Sequence, residues 1–221
     1  MRKYLLISTL LFAASAAQAG VVIGGTRLIY PGDKKEAALT ITNGDDNNYL
    51  VQSWVETENG SKAPFMITPP LFRLDAKQTN TLRVVKLSGT LAQDRESLFW
   101  LNVKSIPSTS RQTQANTLQI AVKTRIKLLY RPATLIGTPE EITDKLVWRK
   151  QADTLSVRNP TPFYMNFQSI TVGGKNIDRA AYVAPGETAR FHLPAGSGAS
   201  SVDWKLINDY GATGAAHHQD L

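Results

Sequence analysis

The sequence of 221 residues contains no cysteine. That excludes thiol nucleophiles, thiolate metal sites and disulfide exchange. A chain of this size can build a core without cross-links, so the absence is compatible with an exported protein. Histidine is nearly as scarce, with only His192, His217 and His218. The last two fall in a polar tail, Gly211–Leu221, which is expected to carry no clear final strand. A His-His pair there is at most a loose metal site. Helical periodicity is almost missing. H-E-x-x-H, Walker A, G-x-G-x-x-G and G-x-S-x-G patterns are all absent. Asp45-Asp46 is too sparse for a calcium cage. No enzymatic activity, cofactor or metal is therefore expected.

Long apolar runs are confined to the start of the chain. Arg2 and Lys3 precede a short apolar core, Leu5–Ala14, and Ala17-Gln18-Ala19 forms an A-x-A cleavage site. This is a secretory signal pattern covering residues 1–19, and it predicts a mature chain from Gly20. No later segment is long and apolar enough to insert in a bilayer. The chain has 25 basic and 18 acidic residues; without Arg2 and Lys3 the basic count is 23 and the net charge +5. No basic run is dense enough for nucleic acid.

What remains is alternation. Short period-2 runs separated by Gly, Pro, Asn and Asp predict an all-β fold. Candidate strands are Val21–Tyr30, Glu36–Thr42, Tyr49–Thr57, Gln78–Lys86, Leu98–Ser105 and Thr117–Tyr130. They fit an immunoglobulin-like sandwich over residues 20–135, with Trp54 as its buried aromatic. Asn59-Gly60 predicts a hairpin rather than a glycosylation acceptor. Pro132–Pro139 reads as a connection. A second, smaller sandwich over 136–221 is built from Lys145–Arg149, Thr154–Arg158, Phe163–Ile170, Thr188–Leu193 and Ser201–Leu206. The small-residue segment Gly196-Ser197-Gly198 reads as a turn.

The most informative stretch is Asn116–Pro132. Leu118, Ile120, Val122, Thr124, Ile126 and Leu128 fall on one face; Gln119, Ala121, Lys123, Arg125 and Lys127 fall on the other. A strand this long, with a bare aliphatic stripe, must lie deep in a sheet or serve another chain. Three more segments stand out. Gly25–Tyr30 embeds a single arginine in an early strand. Gln93–Val103 feeds a charged turn into an aromatic strand. Ile207-Asn208-Asp209-Tyr210-Gly211 reads as a final turn.

Together with Lys127 and Tyr130-Arg131-Pro132, these segments closely resemble the periplasmic pilus-assembly chaperones, the PapD-like family. The match covers nearly the whole mature chain. The resemblance implies two immunoglobulin-like domains arranged in an L with an interdomain cleft. Arg27 and Lys127 match the family's two cleft cations, which hold the C-terminal carboxylate of a pilus subunit. Leu118, Ile120 and Val122 match the aliphatics of the strand lent to an incomplete subunit. Glu96, Arg131 and Asp209 match a charge cluster that bridges the domains. Thr68-Pro69-Pro70 also fits the family, with one X-Pro bond a candidate for cis.

The implied partners are fimbrial subunits and an outer-membrane usher, the implied compartment is the periplasm, and no ATP is implied. The exposed stripe further predicts a self-capping dimer or a flexible strand in the free protein. Two departures mark the end of the second domain: the family often has a disulfide there, and its closing strand is not evident here. The loop Pro107–Asn116 is short, resembling the branch that serves rod-like pili. Two other function classes compete. A pilus or surface structural subunit usually has one incomplete domain and a disulfide. A carbohydrate-binding sandwich would need acids or exposed aromatics gathered on one loop set, and none are seen.

Overall fold

Alternation in the sequence becomes alternation of burial. In β3 (Glu36–Asn43), Ala37, Leu39 and Ile41 are buried while Glu36, Ala38 and Thr40 face water. Its neighbour β7 (Thr79–Lys86) answers with buried Leu82 and Val84. A computed structural model describes residues 20–87, 89–108, 118–178, 182–193 and 200–221. Residues 1–19, nearly all of the loop 107–116 and Gly196-Ser197-Gly198 lie outside these residues.

Two sheets pack face to face in the first half. One has the order β1-β3-β7-β5, with β1 at Val21–Ile23 and β5 at Phe65–Thr68. The other has the order β2-β9-β8-β4-β6, with β2 at Arg27–Pro31, β9 at Val122–Arg131, β8 at Ser97–Pro107, β4 at Tyr49–Glu56 and β6 at Leu71–Leu74. Their inner faces meet in one core that includes Ile41, Val51, Leu82, Leu101 and Leu128. Phe65 joins the sheets through edge-on contacts with Tyr30 at 5.3 Å and Phe99 at 5.0 Å.

A second, separate core fills the other half, around Trp148, Met165, Phe167, Val202 and Trp204. One sheet is β10 (Val147–Gln151), β11 (Thr154–Arg158) and β15 (Thr188–His192). The other has the order β13-β12-β16-β17, with β13 at Lys175–Asn176, β12 at Met165–Val172, β16 at Ser201–Ile207, β17 at Thr213–Asp220, and β14 (Tyr182–Val183) also beside β12. A short 3-10 helix, Glu140–Lys145, precedes them. Its Thr143 accepts a 2.8 Å hydrogen bond from the buried Trp204 indole. The protein is all-β, with two sandwich domains.

The differences from the sequence reading have local causes. The run Val21–Tyr30 is split: β1 joins one sheet and β2 the other. Gly24 allows the crossing, because a Cβ there would sit 3.0 Å from the Thr40 carbonyl oxygen. The run Thr117–Tyr130 becomes regular strand only at Val122. Trp54 is half-buried on the outer face of β4, not in the core, since Val51, Ser53 and Val55 take the inward positions. The unforeseen β5 and β6 are four residues each and flank the cis Thr68–Pro69 bond. The polar tail does form a strand: β17 pairs with β16 from Thr213 to Asp220. It is an edge strand and needs no apolar stripe. His217 of this strand stacks on Trp204 at 5.6 Å. The Asn59-Gly60 hairpin is present, closed by the Thr57 N–H bond to Ser61 O.

Candidate functional site

β2 and β9 are parallel, and their register sets Arg27 directly beside Lys127. In register on neighbouring parallel strands, the two side chains leave the same face of the sheet, opposite the buried Tyr30 and Tyr130. That face meets the second domain. An Arg27 Nη1 hydrogen donates to Ile207 O at 3.1 Å, while its Nε is buried with no hydrogen-bond partner among the described residues. Burial pulls the guanidinium below its ordinary value, opposed by the Asp209 charge. The Lys127 ammonium donates to Asn166 Oδ1 and lies 4.2 Å over the Tyr182 ring. Tyr182 in turn donates its hydroxyl to Glu58 at 2.7 Å. Burial first, then the Arg27 charge, bring Lys127 down to about 8, with Glu58 opposing.

Two neighbouring cations thus share a partly desolvated face with one orphaned donor and no carboxylate directly bonded to either among the described residues. Like charges so placed repel, and an unpaired buried donor is costly. An incoming carboxylate would remove both penalties, since charge-assisted bonds to two fixed cations are strong and directional.

β9 supplies the second part. Its even-numbered stripe is continuous with the core at one end: Ile126 and Leu128 are buried. Towards the other end it emerges: Val122, Ile120 and Leu118 are 54%, 63% and 86% exposed. Because β2 pairs with residues 127–131, the edge of β9 from Val122 to Ile126 has no partner on the β2 side among the described residues. The sheet switch at Gly24 is the reason for this opening. Residues 118–121 have no ladder partner among the described residues, and the Gln119 side-chain amide bonds the Pro107 carbonyl instead. The odd-numbered face carries cations seated over rings: Lys123 over Trp54 at 5.0 Å and Arg125 over Trp100 at 4.3 Å. Glu56 lies beside both, 3.8 Å from Lys123 and 3.5 Å from Arg125.

The third group joins the domains. Arg131 Nε bonds Glu96 at 2.7 Å, and its two terminal nitrogens grip Asp209 at 2.7 and 2.8 Å. The other Glu96 oxygen accepts the Tyr164 N–H at 2.7 Å. Burial pushes the Glu96 carboxyl up, with Arg131 and the Tyr164 N–H opposing. The Asp209 turn closes tightly on the first domain. Gly211 has φ +85°, and a Cβ there would lie 2.5 Å from Thr26 Oγ1. Gly211→Ala is expected to destabilise the protein by about 1–2 kcal/mol from the left-handed backbone alone, more if Thr26 cannot shift. Urea denaturation measures it.

The chain matches the pili and flagellar-assembly chaperone family, PapD N-terminal domain, over residues 20–136, and the PapD C-terminal domain over residues 141–218. It belongs to the PapD-like fimbrial chaperones. It is 44% identical over 206 residues to the chaperone protein FimC of Escherichia coli K12, covering 91% of this chain and 85% of FimC. Its fold is similar to that of the SafB chaperone of Salmonella enterica, solved in complex with SafA pilin. The TM-score is 0.86 at 36% identity, covering 93% of this chain and 99% of SafB. It is also similar to the periplasmic chaperone SfaE, with a TM-score of 0.77 at 40% identity, covering 89% of this chain and 97% of SfaE.

In this chaperone the structure gathers Arg27 with Lys127, and Glu96 with Arg131 and Asp209. Leu118, Ile120 and Val122 lie along one exposed stripe that runs into the first domain's core, on the opposite face of the same segment from Lys127. Sequence reasoning missed Asn166 and Tyr182, which hold Lys127 from across the domain boundary, and Glu58 of the first domain, which accepts the Tyr182 hydroxyl. One signal existed: Asn166 is a polar residue between buried Met165 and Phe167, and it is itself buried.

Proposed function

We propose that this chaperone captures fimbrial subunits by donor-strand complementation, with Arg27 and Lys127 anchoring the subunit's C-terminal carboxylate. The observation that carries this reading is the in-register pair Arg27–Lys127 at the end of an unpaired strand edge. A subunit strand laid along Val122–Ile126 satisfies the free backbone groups of that edge. The carboxylate at the cation pair fixes its register. Leu118, Ile120 and Val122 then enter the subunit's open groove, each contributing about 1.5–3 kcal/mol before ordering costs. Binding energy alone drives capture, so no ATP is required.

The wider reading follows from the same site. Residues 1–19 are a cleaved export signal, and the mature chain works in the periplasm. The domain boundary lies near residue 135, and the charge cluster of Glu96, Arg131 and Asp209 sets the interdomain angle. The capped subunit passes to an outer-membrane usher, where the next subunit replaces the lent strand. In the free protein the stripe is capped by a second copy or kept flexible, which sedimentation at rising concentration together with hydrogen exchange of the strand tests. A strictly monomeric protein with an ordered, uncovered strand would contradict it.

The stripe gives a sharp test. Ile120→Asp and Val122→Asp change residues that are exposed in a single copy, so at concentrations where the protein is monomeric its melting behaviour should stay within about 0.5 kcal/mol of wild type. Co-purification of a cognate subunit should fall at least tenfold, as expected when a charge enters an apolar groove. Unchanged co-purification would remove the stripe from the binding account.

A further inference from the structure

Residues 136–221 include nine acidic and eight basic residues, a net charge of −1. One sheet nonetheless carries charge of a single sign. The strands of the β10-β11-β15 sheet carry Arg149, Lys150, Arg158 and Arg190 and no acidic residue. The strands of the other sheet are mixed, with Asp203 and Asp220 beside Lys175 and Lys205.

Strand register brings the three arginines together. Arg149 lies opposite Ser156, which lies opposite Arg190; the next row is Val147, Arg158 and Thr188. Period 2 places all six on one face, with Trp148, Leu155 and Val157 turned into the core. Arg158 is therefore diagonal to both Arg149 and Arg190, at roughly 7–8 Å. These residues, with Lys150 and Gln151, line one concavity of about 560 Å³. Among the described residues no acidic side chain pairs with Arg149, Arg158 or Arg190. Like charges facing one another weaken a sheet, and a counter-anion relieves that repulsion. Guanidinium forks match phosphate oxygens.

We propose that this face is a peripheral docking surface for an anionic phospholipid bilayer. Charge complementarity commits it to lipid phosphates. Three short strands present their forks side by side on one sheet face, as headgroups present neighbouring phosphates. A protein partner would call for a large aromatic or aliphatic anchor, and this face offers only Val147, 38% exposed. Each basic residue near such a surface strengthens binding about fivefold, so attachment is weak, reversible and without insertion. It would hold the chaperone where newly translocated subunits emerge, a consequence that rests on the subunit-binding reading; the docking itself does not.

The test is co-sedimentation of the mature protein with phosphatidylcholine vesicles, with and without phosphatidylglycerol, at low ionic strength. Wild type should partition to the phosphatidylglycerol vesicles and not to neutral ones. The variant Arg149→Gln/Arg158→Gln/Arg190→Gln should bind roughly a hundredfold more weakly, with subunit co-purification unchanged. A charge-matched control, Lys35→Gln/Lys62→Gln/Arg73→Gln, alters exposed residues of the first domain and should bind like wild type. Equal losses in the two triple variants would reduce the effect to net charge and overturn the proposal. So would wild-type binding that ignores phosphatidylglycerol, or displacement of the protein from vesicles by polyglutamate but not by inorganic phosphate at matched charge.

Discussion

Lys127→Ala is expected to weaken subunit capture by about 2–5 kcal/mol, roughly thirtyfold to several thousandfold, because it strips one partner from a desolvated charge pair. Arg27 would remain, with its Nε still unpaired and a point charge missing from the site. The same change should not destabilise the free chaperone in proportion. Burial and Arg27 already disfavour the Lys127 charge in the folded state. Lys127→Met, which keeps the aliphatic stem, should therefore melt no lower than wild type while failing to hold a subunit. A residue serving structure alone would show the reverse.

The pH dependence separates the two roles further. The folded value of about 8 lies below the ordinary lysine value of 10.5. Below about pH 8 the ammonium is charged in both folded and unfolded chains, and its burial penalty is fully present. As pH rises from about 8 towards 10.5 the folded protein loses that proton first, so the penalty lifts and stability gains from this group. Affinity moves the other way, since the neutral amine no longer attracts a carboxylate. Subunit affinity should fall through pH 8 in wild type and show no such step in Lys127→Met. A flat wild-type profile would place Lys127 outside the binding site.

Arg131→Ala is expected to cost about 3–5 kcal/mol of stability. The Glu96 side chain is fully buried, and removing Arg131 leaves it with the Tyr164 N–H as its only direct hydrogen-bond partner among the described residues. Asp209 loses both of its guanidinium bonds at the same step. The cores of the two domains are separate, so the loss should also split thermal unfolding into two transitions in calorimetry. Arg131→Lys should recover little, because an ammonium cannot reproduce three bonds to two carboxylates. A loss below about 0.5 kcal/mol with a single transition would mean that the cluster does not couple the domains.

The two cases differ in how far the sequence revealed them. Arg27, Lys127, Glu96, Arg131 and Asp209 could be picked out because the segments that hold them resemble those of the pilus-assembly chaperones. The alternation from Leu118 to Leu128 was equally plain. What the alternation could not show was its division, buried from Ile126 and exposed up to Val122. That depends on where β2 stops pairing with β9, and hence on a sheet switch at Gly24 nearly a hundred residues earlier. β17 was hidden for a related reason. An edge strand with two largely wet faces carries no apolar signature, and its ladder with β16 is written in backbone groups. Trp54 misled because aromatic size was taken for burial; its place under Lys123 follows from its position beside the inward-facing Ser53 and Val55. Asn166 and Tyr182 reach Lys127 only once the second domain is docked, so no local pattern links them.

The central claim is that the Arg27–Lys127 pair reads a subunit's terminal carboxylate. The most direct measurement compares two synthetic peptides carrying a subunit's C-terminal strand, one a free acid and one amidated, titrated into the mature chaperone calorimetrically. The account predicts that amidation weakens binding at least thirtyfold in wild type and has little effect in Lys127→Met. Equal affinity of acid and amide for the wild-type protein would contradict it.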